Sequence, residues 1–175
     1  MAHAASSGYI RSIPQIAFPL LLTLGMAVVI LSALAFQHIG GYMPCHLCLV
    51  QRDPYYYGIP VGILAIGTVA FKLPSWTGRV LMALIGLMML VGGGIAVYHS
   101  GVEWAWWAGP TSCTNPAGAV TTSAANLLDD LNTIRGPSCD AAALRVLGLS
   151  MAGWNVLTSA GLAVIAFVGA FRKSA

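Results

Sequence analysis

The stretch IAFPLLLTLGMAVVILSALAF, Ile16–Phe36, carries no charged side chain, and its reading decides the fold class. As a helix it is about 30 Å long, the thickness of a bilayer's hydrocarbon core. Three more apolar blocks follow: Tyr55–Phe71, which contains Pro60, then Val80–Tyr98 and Trp154–Phe171. None alternates polar and apolar residues as a half-buried strand would. Of the 175 residues, 58% are hydrophobic and 7% charged, against about 25% charged in a soluble domain. The chain therefore reads as an all-α membrane protein, a single integral membrane domain over 1–175. It is expected to be a four-transmembrane-helix bundle, with helices at about 16–36, 55–71, 80–98 and 154–171. The rival reading of the first block is a cleaved signal peptide, with Arg11 upstream and Ala33-Leu34-Ala35 as the cleavage site. Its apolar run exceeds the roughly 7–15 residues of a signal core, so an uncleaved helix is expected.

Orientation follows from the basic residues, which gather on the cytoplasmic side of membrane proteins. Arg11, Lys72, Arg79, Arg172 and Lys173 flank one side of the four blocks. Arg52, Arg135 and Arg145 fall on the other, together with Asp53, Glu103, Asp129, Asp130 and Asp140. Both termini are thus expected in the cytoplasm, and the segments 37–54 and 99–153 outside it. The net charge of +3 is mostly this bias, and no nucleic-acid partner is expected. In the second outer segment, Trp104, Trp106 and Trp107 suit the headgroup region, where an indole buries its ring and keeps its N–H wet. Further on, Leu127, Leu128, Leu131 and Ile134 share one face at helical spacing. Ser123 can cap that run, and Gly136-Pro137 stops it. A short amphipathic helix in this loop is the expectation, lying on the membrane or over the first cysteine pair.

All four cysteines fall in the outer segments, as Cys45-His46-Leu47-Cys48 and as Cys113 with Cys139. In a bacterium that side is the periplasm, where disulfides persist. A C-x-x-C pair can close a small disulfide ring, and such motifs often hold one thiol at lowered pKa. Arg52 lies four residues after Cys48, placing a permanent cation near the thiols if the helix runs through both. Asp53-Pro54 is itself a helix-start signal, so Arg52 falls in or just before the second helix. A zinc site is a rival reading, kept alive by His38 and His46. The spacing of the second pair is not that of a zinc finger, and an oxidising compartment disfavours reduced ligands; no metal is expected. Haem attachment would need His where Leu49 stands. A non-enzymatic scaffold with purely structural disulfides is the stronger rival, although a four-helix bundle gains little from stapling its own loop ends.

The string Gln37-His38, Pro44-Cys45-His46-Leu47-Cys48-Leu49-Val50-Gln51-Arg52 resembles the bacterial disulfide bond formation protein B (DsbB) family. So do Tyr98-His99, the Cys113 and Cys139 pair, and Gly148-Leu149-Ser150-Met151 before the last helix. The resemblance covers essentially the whole chain; the part over 114–135 is looser. It implies a thiol:quinone oxidoreductase of the bacterial inner membrane that reoxidises a periplasmic thioredoxin-fold oxidase of the DsbA type. By that pattern Cys113 is attacked by the partner's thiolate, and Cys139 is its mate. Electrons then pass to Cys45–Cys48, through a transient Cys45–Cys139 link. Cys48 is left as the thiolate facing a quinone, ubiquinone in preference to menaquinone, with Arg52 and His99 near the quinone head. His46 carries no catalytic role in this pattern and at most stabilises a neighbouring thiolate.

Overall fold

Residues 3–110 and 139–172 are described in the computed structural model. The apolar blocks form α1 (His3–His38), α3 (Asp53–Ala70), α4 (Ser75–Glu103) and α5 (Met151–Phe171), with a five-residue α2 (His46–Val50) before α3. Helix α1 runs past its block to Gln37, which pairs with Arg52, and α4 runs past its own to His99 and Glu103, polar residues that meet partners inside the fold. Pro54 occupies the first turn of α3, where its missing N–H costs nothing. Pro74 sits at the N-cap of α4. At α5, the Ser150 hydroxyl accepts from Gly153 N at 3.1 Å, satisfying one of the orphan donors of the first turn. The expected amphipathic helix of the second outer loop, Cys113 and the centre of that loop lie outside the described residues.

The loop preceding α5 contains a ribbon that the all-α expectation did not include: Arg145–Val146 (β1) pairs antiparallel with Leu149–Ser150 (β2). Its turn residues Leu147 and Gly148 have φ of 54° and 83°, the paired positive values that a two-residue hairpin favours. Trp154 Nε1 donates to Val146 O at 3.0 Å and ties the ribbon to α5.

Consecutive long helices run antiparallel. Arg52 at the head of α3 reaches Gln37 at the tail of α1. Arg79 Nε at the head of α4 donates at 2.7 Å to Ala170 O, a carbonyl the last turn of α5 cannot satisfy internally. The core between them contains Leu22, Met26 and Ile30 of α1, Tyr55 of α3, Met82, Ile85 and Met89 of α4, and Leu162 and Ala166 of α5. Glycine permits a close approach between α4 and α5: a Cβ on Gly86 would lie 2.9 Å from the Phe167 ring.

The outward faces are as apolar as the core. Leu21, Leu24, Val28 and Leu31 of α1, and Leu157, Val164 and Val168 of α5, are all more than half exposed. Only 28% of the most apolar 18 residues in each of the spans Ile16–His38 and Met151–Phe171 is buried against protein. Apolar surface on that scale is stable in lipid and not in water. Among the described residues, three helices are long and apolar enough to cross a membrane: Ile16–His38, Ser75–Glu103 and Met151–Phe171. The 18-residue α3 is not among them; it opens on Asp53 and three consecutive tyrosines, Tyr55–Tyr57. Beyond α4, Trp107 stacks on Tyr98 with ring centroids 5.9 Å apart, and its Nε1 donates to Tyr98 O at 2.8 Å. Trp104, Trp106 and Trp107 stay exposed.

Candidate redox site

The tail of α4 and the heads of α3 and α5 meet at the end of the bundle that carries α2. Cys45 is the N-cap of α2, and its sulfur accepts from Cys48 N at 3.3 Å. The turn brings the two sulfurs to 2.9 Å, where they share a hydrogen bond as free thiols. Cys45 is 5% exposed and packs with Leu47, Val102 and Cys139, with Cys48 against them. Cys139 is fully buried and disulfide-bonded. The Cys45 and Cys139 sulfurs and a His99 ring nitrogen all lie within 4.8 Å of one another. Three such donors could hold a metal if both sulfurs were thiolates, but the sulfur of Cys139 is already bonded to another sulfur.

The two thiols titrate as a unit. The hydrogen bond from Cys48 is the largest influence on Cys45; with the nearby His99 it outweighs burial and pulls that thiol from its ordinary 9.0 to about 4. Cys48 is driven the opposite way, because it holds the shared proton, is buried and faces the charge left on Cys45. The Arg52 cation acts on Cys48 in the lowering direction. Both forces that arise at the Cys45 sulfur and raise Cys48 vanish once that sulfur enters a disulfide. Arg52 then favours the Cys48 thiolate against burial alone.

Arg52 is the N-cap residue of α3, just outside the helix and in helical backbone conformation. Its Nη1 donates to Gln37 Oε1 at 2.6 Å. His99 belongs to α4 itself, not to the loop expected from residue 99 onward. It is 2% exposed; its Nε2 lies 3.6 Å from Cys45 Sγ and its Nδ1 2.6 Å from Gln51 Nε2. Glu103, one turn along α4, places Oε1 3.8 Å from His99 Nε2 with its side chain 4% exposed. Its Oε2 is buried without a hydrogen-bond partner among the described residues. His38 and His46 are both exposed and stand apart from the sulfur cluster.

The sequence reading missed the polar core behind His99. Asn155 Nδ2 donates to Gln51 Oε1 at 2.7 Å, and Tyr55 Oη donates to Asn155 Oδ1 at 2.6 Å. Ser159 Oγ lies 2.7 Å from Tyr55 Oη. A signal was available: Asn155 and Ser159 fall one helical turn apart in an otherwise apolar block, and polar side chains inside such segments mark function.

A dithiol with one acidified sulfur, buried at the mouth of long lipid-compatible helices, defines a helical membrane protein built for thiol chemistry. The sequence profile of the family described as Disulfide bond formation protein DsbB matches residues 15–169. The chain belongs to that family. A Disulfide bond formation protein B from Herminiimonas arsenicoxydans is 31% identical over 161 residues, covering 89% of this chain and 96% of its own. The protein of the same name from Saccharophagus degradans is 30% identical over 158 residues, covering 89% and 92%. That from Dechloromonas aromatica is 29% identical over 160 residues, covering 87% and 90%. No solved structure matches the chain.

Proposed function

We propose that the chain is a thiol:quinone oxidoreductase of the bacterial inner membrane that reoxidises a periplasmic thioredoxin-fold oxidase of the DsbA type. In this reading α3 is the fourth membrane crossing, both termini are cytoplasmic and the cysteines face the periplasm. The observation that carries it is the sulfur cluster: Cys45 Sγ lies 2.9 Å from Cys48 Sγ and within 4.8 Å of Cys139 Sγ. Those separations suit thiol–disulfide exchange from one pair to the other.

The relay starts when the partner's thiolate attacks Cys113 and releases Cys139 as a thiolate. Cys139 attacks Cys45 of the Cys45–Cys48 disulfide, forming a Cys45–Cys139 bond and freeing the Cys48 thiolate. The partner's second thiol resolves its bond to Cys113, leaving the partner oxidised. Return of the Cys113–Cys139 and Cys45–Cys48 disulfides requires two electrons and two protons to leave the chain. A membrane quinone, ubiquinone in preference to menaquinone, supplies that sink and ends as the quinol. The donor set suits such an acceptor. Arg52 offers five N–H donors, of which Gln37 engages one among the described residues. Leu49 and Tyr56 beside it are nearly half exposed and apolar. His99 would meet the quinone through its ring edge, because both its nitrogens face protein groups.

Energetics point the same way. The partner type is a strong oxidant at about −120 mV, so the pair that oxidises it must itself be strongly oxidising. Stabilising a thiolate in the reduced pair, as at Cys45, raises its potential. Mixed anaerobically with a reduced thioredoxin-fold oxidase, the chain is expected to turn over continuously with ubiquinone added. Without quinone it stops once its own disulfides are consumed. Partner oxidation indifferent to quinone contradicts the proposal.

A further inference from the structure

The polar core behind His99 has a direction. The Gln51 side-chain nitrogen can only donate, and it sits 2.6 Å from His99 Nδ1. Nδ1 must therefore present its lone pair, which puts the proton of the neutral ring on Nε2. Gln51 is held in this orientation because Asn155 Nδ2 donates to its Oε1 at 2.7 Å; turning the amide would set N–H against N–H. Asn155 is held in turn by the Tyr55 hydroxyl, which donates to Oδ1 at 2.6 Å. Having given its only proton, Tyr55 accepts from Ser159, 2.7 Å away. One polarity runs from Ser159 through Tyr55, Asn155 and Gln51 to His99. Partial reversal leaves a buried clash of like groups, so the chain turns over as a whole or not at all.

The last link reaches the redox pair. His99 Nε2 lies 3.6 Å from Cys45 Sγ, within reach for the large sulfur atom, and 3.8 Å from Glu103 Oε1, too long for an N–H···O bond. We propose that Gln51 and Asn155 are positioning residues that hold His99 as its Nε2–H tautomer, aiming a hydrogen-bond donor at Cys45 Sγ and keeping that sulfur an anion in the reduced pair. Its significance for turnover rests on the proposed oxidoreductase reading; the tautomer itself does not. Among the described residues, the other titratable or charged groups facing this point are Cys48 of α2, Glu103 of α4 and Arg52 at the head of α3. Glu103 opposes an anion on Cys45, and Arg52 acts first on Cys48.

Nitrogen-15 NMR of the full-length, reduced protein in lipid nanodiscs reads the tautomer directly, with the His99 signals assigned by their loss in His99→Gln. The expected spectrum has Nδ1 bare and Nε2 protonated. Gln51→Glu and Asn155→Asp change no shape but leave only an acceptor where an amide donated, so each should protonate Nδ1. Asn155→Leu frees the Gln51 amide, and should shift the pH midpoint of Cys45 alkylation upward by about one unit or more. Protonated Nδ1 in the unmodified protein, or tautomers unmoved in both isosteric variants, overturns the proposal, as does an unshifted midpoint in Asn155→Leu. None of these readouts uses quinone or partner. A correct tautomer in a chain that reduces no quinone would count against the oxidoreductase reading alone.

Discussion

At the scale of single residues, the site divides its charges between two sulfurs. Cys45 has an N-cap position, a backbone donor and His99, whereas Cys48 has the Arg52 cation. The division suits an exchange in which Cys45 is tied up while Cys48 hands on electrons. Arg52 also ties the tail of α1 to the head of α3 through Gln37. Replacing it tests whether its charge and fork serve chemistry or only this tie. Arg52→Ala is expected to lower quinone turnover by roughly tenfold to over a hundredfold, the loss of one charge-assisted contact of about 1.5–3 kcal/mol. Arg52→Lys keeps the charge without the planar fork and should restore only part. A steady-state quinone titration checks both; full activity in Arg52→Ala removes Arg52 from the site.

At the scale of elements, the bundle depends on small residues where helices cross. Gly86 of α4 faces the Phe167 ring of α5, where an added Cβ would stand 2.9–3.0 Å from three ring atoms. Gly86→Ala should therefore force the ring aside and cost about 1–3 kcal/mol of stability, seen as a lower thermal midpoint in detergent. A midpoint equal to the parent's would mean the α4–α5 contact is looser than described. These two helices carry His99, Glu103, Asn155 and Ser159, so their spacing also sets the gap between Asn155 and His99 that Gln51 bridges. The apolar blocks announced where the long helices lie, because a lipid-spanning run needs little beyond length and absence of charge. Their ends were not legible. Helix α4 continues through His99 to Glu103 because those polar side chains are buried beside Cys45 and Gln51. The β1–β2 ribbon was hidden because its turn places Leu147 at φ 54°, a conformation leucine rarely signals.

At the scale of the whole molecule, an apolar outer surface and a polar mouth set the buried sulfurs at one end of the bundle, where the proposed relay would meet a lipid-soluble acceptor. The cysteine motif and Arg52 could be read from sequence because C-x-x-C and a nearby cation are local patterns. The pairing of Gln51 with Asn155 could not, since that bond spans 104 positions and forms only when α3, α4 and α5 have packed. The central claim is a relay with two distinct stations, and the most direct test separates them with one pair of variants. Quinol formation is followed anaerobically, with electrons supplied either by a small dithiol or by the reduced thioredoxin-fold partner. Cys113→Ser should reduce quinone from the small dithiol but not from the partner, and Cys48→Ser should reduce it from neither. Equal quinol formation by both variants from the small dithiol, or undiminished formation in Cys48→Ser, would contradict the relay and leave the cysteines a structural role.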